Sequence, residues 1–210
     1  MSADALVLDE ATHTYTLNGL RLWSVTQILG AAGLTQPIDY PPSATRRGHA
    51  VHRACALWAA GRLDEERLAA AWRPYLDAYK QATNDIALQV EHSELRLASS
   101  FGFAGTLDIA GHVYPDITPN LVILDIKTGV PEPCAELQTA GYAILYEAAF
   151  GVAYSKIKRG TLQLSDDGSY RLRWHDDPLG RHRIEFLAAI SIAQVRRRYG
   201  LLSELEGDPT

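Results

Sequence analysis

The feature that most constrains the fold is the apolar run 121–124 (LVIL) with the Asp125-Ile126-Lys127 that follows it. Consecutive apolar residues of this length predict a buried β-strand. Because alternate side chains of a strand share a face, Asp125 and Lys127 should point the same way, with Ile126 in the opposite layer. A carboxylate and an ammonium there lose hydration unless they pair or bind something. The tripeptide alone favours a structural ion pair or a simple strand end.

The segments around this strand alternate between strand and helix patterns. Residues 12–24 predict a hairpin that turns at Asn18-Gly19, and Ser24 with Gln27 predicts a capping box that starts a short helix. Further strands are predicted at 87–98, 101–110, 152–164 and 169–175, and a hairpin connection at 111–120. Helices are predicted at about 45–61, 64–81, 135–150 and 178–199. Pro74 makes a kink or break possible within the second of those helices. This order predicts an α/β fold, with an N-terminal helical part before a mixed core.

Length and composition narrow the class of protein. A chain of 210 residues fits one domain, with the hairpin and helical part at about 1–82 and the core at about 83–200. The sequence has no apolar run of bilayer length and no signal-like start, so we expect a cytoplasmic protein without a membrane partner.

Two cysteines exclude a disulfide framework and a four-thiolate cluster. A net charge of −5 argues against a purely electrostatic nucleic-acid binder, but carboxylates that hold a cation are neutralised on binding.

Asp108 makes a metal site a serious alternative to the ion pair. It lies in an otherwise apolar strand after Gly105, and a hairpin could place it beside strand 121–127. Asp108 and Asp125 could then share a hard cation such as Mg²⁺, which prefers oxygen ligands. Taken alone, Asp108 also fits a turn or a solvated strand end, and Gly105 fits a bulge or the close approach of another backbone.

His52 and Glu94 are weaker candidates. His52 follows Gly48 in a predicted helix, where a histidine is commonly packed or solvated, and imidazole suits Mn²⁺ better than Mg²⁺. Glu94 could support a metal or a phosphate, or form the polar face of a strand, and Glu91 is a rival for the same role.

Gln138 and Tyr142 are four residues apart and therefore neighbours on one helix face. The ordinary interpretation places Tyr142 in the core and Gln138 on the surface. The functional interpretation is that the amide and hydroxyl hold a phosphate or a base edge.

Together these motifs resemble the PD-(D/E)XK nuclease superfamily and, within it, the RecB-type branch of phage and recombination-linked exonucleases. The motifs are Gly48-x-x-x-His52, Glu94, Gly105-x-x-Asp108, Asp125-Ile126-Lys127-Thr128-Gly129 and Gln138-x-x-x-Tyr142. Residues 15–29 also resemble an N-terminal stretch of small phage and mitochondrial genome-maintenance exonucleases, with Trp23 where those often carry proline. With two cysteines the chain resembles the members without an iron–sulfur cluster.

The resemblance implies a fold and a metal site. The fold is a restriction-endonuclease-like core, a central mixed β-sheet flanked by helices. Asp108 and Asp125 would be the main ligands of Mg²⁺ or Mn²⁺, with the backbone carbonyl of Ile126 and, as an additional ligand, His52. As ionised ligands the aspartates need no unusual pKa.

The other motif residues would act on water or on DNA. Lys127 would orient the attacking water and stabilise developing negative charge, and Glu94 would support metal or water. Gln138 and Tyr142 would contact the nucleic-acid backbone. Outside the metal-site motifs, three local basic groups could guide phosphates: Arg46-Arg47 with Arg53, Lys156-Lys158-Arg159, and Arg181-Arg183 with Arg196-Arg197-Arg198. The first group flanks His52, so Arg47 and Arg53, together with Thr128, are the preferred candidates for DNA contact.

These roles favour a metal-dependent deoxyribonuclease, an exonuclease of phage or recombination and repair DNA processing. Its substrate would be double- or single-stranded DNA. An endonuclease of the same fold, acting on flaps or single strands, is the first alternative. A non-cutting nucleic-acid-binding module is another, although the intact Asp108, Asp125 and Lys127 argue against it. An unrelated carboxylate-metal hydrolase would leave the motif spacings unexplained. By analogy, a recombination mediator protein and further copies of the chain are candidate partners.

Overall fold

The computed structural model describes residues 6–10, 12–35, 41–114, 120–130 and 133–202. The middle of the predicted connection 111–120 lies outside these residues. None of the described helices is long and apolar enough to span a bilayer.

The described strands form one eight-stranded mixed sheet. They are β1 (Leu6–Asp9), β2 (Thr14–Leu17), β3 (Leu20–Ser24), β4 (Gln89–Ser99), β5 (Phe103–Val113), β6 (Asn120–Lys127), β7 (Ile157–Leu164) and β8 (Tyr170–Trp174). Their order is β1-β2-β3-β5-β6-β7-β8, and β4 pairs with β5 outside this path. The pairs β3–β5 and β6–β7 are parallel, and the other pairs are antiparallel.

Five α-helices are described, and they pack in two groups around the sheet. They are α1 (Val25–Ala31), α2 (Pro42–Ala59), α3 (Arg73–Asp85), α4 (Ala135–Phe150) and α5 (Arg181–Arg198). Helices α1, α4 and α5 share one apolar core with the sheet, and α2 and α3 share a second. The predicted α/β class, a central mixed sheet with flanking helices, is confirmed.

Strand β6 is apolar because it contributes to both cores. Leu121 and Ile123 pack in the core of α4, and Val122, Leu124 and Ile126 pack in the core of α2 and α3. A strand covered on both faces gains from apolar residues at every position. Asp125 is therefore an exception inside a buried strand, with only 2% of its side chain exposed.

The N-terminal predictions are confirmed in detail. Asn18 and Gly19 form the hairpin turn with φ of 52° and 80°, the left-handed geometry that such turns need. The hydroxyl of Ser24 accepts a hydrogen bond from the Gln27 N–H at 3.0 Å. The Gln27 Oε1 accepts one from the Ser24 N–H at 2.9 Å, which completes the capping box.

Several predicted boundaries were wrong, and proline and glycine explain most of them. Helix α2 begins at Pro42 instead of Thr45, because proline suits the first turn of a helix. The predicted helix 64–81 is two short 3₁₀ turns followed by α3. The break that Pro74 made possible is present, because α3 begins at Arg73 with Pro74 in its first turn. Helix α5 begins after Gly180, which takes a left-handed φ of 64°.

The central strands are shifted relative to their predicted bounds. Strand β4 covers Gln89–Ser99 in place of 87–98, and β5 covers Phe103–Val113 in place of 101–110. Strand β5 therefore includes Gly111, which the sequence assigned to the connection. The pairing of β4 with β5 shifts register between Val90 and His92, a β-bulge that the sequence did not indicate.

Gly111 is required by this bulge. A Cβ at position 111 would lie 2.2 Å from the carbonyl oxygen of Gln89, a backbone atom that cannot rotate away. In contrast, a Cβ at Gly48 in helix α2 would have its closest neighbour, the Thr128 hydroxyl, at 4.0 Å.

We therefore expect opposite effects from two Gly→Ala substitutions. Gly111→Ala should lower the free energy of unfolding by more than about 2 kcal/mol, because the backbones of β4 and β5 must separate. Gly48→Ala should leave it unchanged or raise it by up to about 1 kcal/mol, because alanine restricts the unfolded chain. Urea denaturation of both variants measures this, and an unchanged midpoint for Gly111→Ala would show that the bulge is misplaced.

Candidate functional site

The site forms where β5 and β6 separate. The antiparallel register of these strands ends at the pair Ile109–Leu124, and beyond it β5 pairs with β3. We call the point where the two strands separate the fork. Asp108 and Asp125 are the first residues beyond it on β5 and β6, so they lie close together, as the sequence predicted. Asp108 Oδ2 accepts a hydrogen bond from the Ile126 N–H at 2.7 Å.

Asp125 lies in a tight polar network with Lys127 and Gln138. The Lys127 Nζ is 2.9 Å from Asp125 Oδ2, so the two side chains share a face as expected. The Gln138 amide donates to Asp125 Oδ1 at 3.0 Å, and its oxygen accepts from the Lys127 Nζ at 3.1 Å. Gln138 also donates to the Tyr142 hydroxyl at 2.9 Å. The ordinary interpretation of Gln138 as a surface residue was wrong, since it is buried.

Gly105 allows helix α4 to carry Gln138 and Tyr142 over the strands. A Cβ at position 105 would lie 3.0 to 3.2 Å from side-chain atoms of Leu145, Tyr142 and Val25. The close neighbours are therefore side chains, and not the backbone that the sequence suggested. The absence of a side chain at this position lets α4 approach β5.

His52 reaches the fork from helix α2. Its Nδ1 lies 3.1 Å from Asp108 Oδ1 and 3.8 Å from Glu94 Oε1. Between the two rival glutamates, the structure places Glu94 in this cluster, whereas Glu91 contacts His112 at 3.0 Å. Glu94 has a φ of 52°, a left-handed backbone conformation that costs a non-glycine residue about 1 kcal/mol or more.

The cluster shifts the pKa values of all four groups. Burial, reinforced by Asp108, raises the pKa of Glu94 to about 7, and burial raises the pKa of Asp125 to about 6. Burial opposes charge on His52, but Asp108 and Glu94 outweigh it and raise the pKa of His52 to about 9. Burial likewise opposes charge on Asp108, yet His52 holds the pKa of Asp108 below its usual range.

A divalent cation fits this donor set. Ligand atoms of His52, Glu94 and Asp108 all lie within 4.8 Å of one another, and two carboxylates with one imidazole suit Mg²⁺ or, better, Mn²⁺. In the described structure the His52 ring lies between the carboxylates of Asp108 and Glu94. The oxygens of Asp125 contact Lys127 and Gln138 instead, so its role as a ligand stays a prediction.

The Ile126 carbonyl also stays a predicted ligand. Its N–H is directed at Asp108, and the N–H and C=O of one strand residue leave on the same edge. The carbonyl therefore leaves the strand on the side of the fork.

A cavity of about 830 Å³ opens onto the cluster. Of the predicted residues it is lined by His52, Arg53, Glu94, Asp108, Asp125, Lys127, Gln138 and Tyr142. Arg47 and Thr128 are not in this lining; they contact each other, with the Arg47 Nε 3.5 Å from the Thr128 hydroxyl.

Several lining residues were missed by the sequence. They include His13, Tyr15, His49, Arg96 and Thr106. The Tyr15 hydroxyl is hydrogen-bonded to the Thr106 hydroxyl at 2.7 Å. Thr106 could have been found, because it precedes Asp108 by two residues on the same strand, and such residues share a face.

Comparisons with known proteins support the fold. No protein-family model matches the sequence, and no curated protein matches it. The solved structure of a candidate exonuclease from Eubacterium rectale matches with a TM-score of 0.50 and 13% identity, over 87% of this chain and 83% of that chain. The alkaline exonuclease LHK-Exo from Laribacter hongkongensis matches with a TM-score of 0.35 and 15% identity, over 86% of this chain and 94% of that chain. At such low identity the first match shows a shared α/β fold, and the second carries no argument.

The pKa of His52 predicts how the metal-free protein responds to pH. An unfolded histidine titrates near pH 6.5, so the stabilisation from the His52 pair is fully present below that pH. It is lost as the pH rises through the folded value of about 9. In EDTA, the free energy of unfolding should fall between pH 6.5 and 9, with a contribution from His52 on the order of 3 kcal/mol.

In His52→Asn, the free energy of unfolding should decrease less steeply between pH 6.5 and 9. His112→Asn, which lies outside the cluster, should show the same decrease as wild type. Urea denaturation in EDTA at several pH values measures the difference between the variants. Equal slopes for wild type and His52→Asn would contradict the described ion pair.

Proposed function

We propose that the protein is a metal-dependent deoxyribonuclease that hydrolyses phosphodiester bonds as an exonuclease. The observation that carries this proposal is the fork of β5 and β6. It gathers Asp108, Asp125 and Lys127 in one open cavity, with Glu94 from β4 and His52 from α2 beside them. A structural ion pair would not need three carboxylates and a histidine at the end of a cavity.

The residues that would hold Mg²⁺ or Mn²⁺ are Asp108, His52, Asp125 and, through its carbonyl, Ile126. When bound, a divalent cation supplies an activated water and neutralises charge on the phosphate. Asp125 would serve as a ligand through one of the oxygens that Lys127 and Gln138 now contact. Glu94 would support the metal or its water from the neighbouring strand β4, where its Oε1 lies 3.8 Å from His52 Nδ1.

Lys127 provides a fixed positive charge for the phosphate. Its Nζ is held between Asp125 Oδ2 at 2.9 Å and Gln138 Oε1 at 3.1 Å. An ammonium oriented in this way can align the attacking water and stabilise charge that develops on the phosphoryl oxygens. The network gives Gln138 a second role besides DNA contact, because its amide positions both Asp125 and Lys127.

The DNA backbone is contacted by residues around the cavity. Arg53 and Tyr142 line it and would contact phosphates of the bound strand. Arg47 and Thr128 form a contact outside the lining, where they would meet the backbone further along the strand. Cationic phosphate contacts position the substrate without reading its sequence.

Exonuclease activity is preferred over endonuclease activity for two reasons. The sequence motifs resemble the RecB-like branch, and the Eubacterium rectale protein that shares the fold is named a candidate exonuclease. A role in phage or recombination and repair DNA processing, a cytoplasmic location, and partnership with a recombination mediator or further copies of the chain rest on the resemblance alone.

Digestion of end-labelled linear duplex, linear single-stranded and closed circular DNA tests the proposal. With Mg²⁺ or Mn²⁺, linear DNA should be degraded and circles left intact, and EDTA should stop the reaction. Asp125→Ala and Asp108→Asn should each lower kcat at least about 100-fold, because metal and phosphate lose their charge partners.

Asp64→Asn is the matched control, since Asp64 is an exposed aspartate whose contact is with Arg67. It should keep wild-type activity. Cutting of circular DNA would move the assignment to an endonuclease. Undiminished activity in Asp125→Ala, or no cutting by wild type with either metal, would overturn the proposed function.

A further inference from the structure

Two arginines on the edge strand β8 lie in register with the candidate site. Thr161 of β7 pairs with Asp125 of β6 on one side and with Arg173 of β8 on the other. One row further, Gln163 pairs with both Lys127 and Arg171. Paired residues of neighbouring strands direct their side chains to the same face. Arg171 and Arg173 therefore share the sheet face of Asp125 and Lys127.

The contacts of β7 confirm which face this is. Arg159, two residues before Thr161, donates to the Glu136 carbonyl at 2.9 Å and contacts the Thr139 hydroxyl at 3.3 Å, both on α4. Helix α4 is also the helix that carries Gln138 over Asp125. The two arginines are thus on the α4 side of the sheet, about 10 Å from the site at two strand spacings.

The side chains of both arginines are available to a ligand. Both are exposed, and within the described part of the chain neither makes a side-chain hydrogen bond or an ion pair. By comparison, Lys80, Arg96 and Arg183 each contact a carboxylate. Two guanidiniums at positions i and i+2 of a strand repel each other, and a shared anionic partner would relieve that repulsion.

We propose that Arg171 and Arg173 bind backbone phosphates of the DNA strand beyond the scissile bond. This inference rests on the proposed function. The DNA strand would run from the cavity past the cluster of His52, Glu94 and Asp108, and then across the ends of β6 and β7 to β8. Guanidiniums suit this role because they bind phosphate oxygens in pairs. The contact positions the substrate and adds affinity, and it leaves the chemical step to Lys127 and the metal.

The competing explanation is protection of a sheet edge, since charged side chains on edge strands prevent pairing with other chains. In that case the two arginines would influence solubility and not DNA. Lys156 and Lys158 allow a matched comparison. Lys158 lies on the opposite face of the same hairpin, with its Nζ 4.1 Å from the Trp174 ring. Lys156 precedes β7 at the end of the strand away from the site.

The experiment compares Arg171→Gln/Arg173→Gln with Lys156→Gln/Lys158→Gln, which change net charge equally. Fluorescence anisotropy in EDTA measures binding of a labelled 20-nucleotide single strand and a duplex at several salt concentrations. The arginine variant should bind about 10-fold more weakly at low salt. Its slope of log affinity against log salt should be smaller by about 1.4 to 1.8, which corresponds to two lost phosphate contacts. The lysine variant should match wild type.

Digestion kinetics with Mg²⁺ separate this inference from the proposed function. If wild type cuts DNA, the arginine variant should show a raised KM with an unchanged kcat. If wild type cuts nothing, the proposed function fails, but selective loss of binding in the arginine variant would still support the phosphate contacts. Equal affinity and equal salt slopes for wild type and the arginine variant would overturn the inference, as would equal losses in both double variants.

Discussion

The site depends on two buried carboxylates, Asp108 and Asp125, held side by side at the fork of β5 and β6. Burying such charges costs several kcal/mol unless they are paired and hydrogen-bonded. Each carboxylate is therefore compensated separately. Asp108 is held by the Ile126 N–H and His52, and Asp125 by Lys127 and Gln138. Helix α2 supplies His52 and helix α4 supplies Gln138. The two buried carboxylates therefore stay compensated only while both helices pack against the sheet.

Much of this arrangement could be predicted from the sequence because local patterns determine it. The apolar run before Asp125 indicated a buried strand, alternation placed Asp125 and Lys127 together, and the Ser24 capping box placed the start of α1. The left-handed backbone conformation of Glu94 and the burial of Gln138 could not be predicted. Both depend on contacts between segments distant in the chain, namely the pairing of β4 with β5 and the approach of α4 over Gly105.

The sheet also determines how a substrate can lie on the protein. The cavity opens onto the fork from the side of α2, β1 and β4, whereas β7 and β8 extend the same layer on the other side of β6. The register of β6, β7 and β8 aligns Lys127 with Arg171, so the charged cluster and the basic edge lie on the same face of the sheet. Under the proposed function, a DNA strand would have favourable electrostatic contacts along this direction, even though the chain has a net charge of −5.

The proposed function requires the fork to bind a divalent metal ion. Anomalous X-ray diffraction from crystals soaked in Mn²⁺ tests it most directly, because the signal locates the ion without reference to activity. We expect a peak at about 2.0 to 2.3 Å from Asp108 and from at least one of His52 and Asp125, and its loss in Asp108→Asn. A fully soaked crystal without a peak in the cavity, or with Mn²⁺ only at His112 and Glu91, would contradict the account.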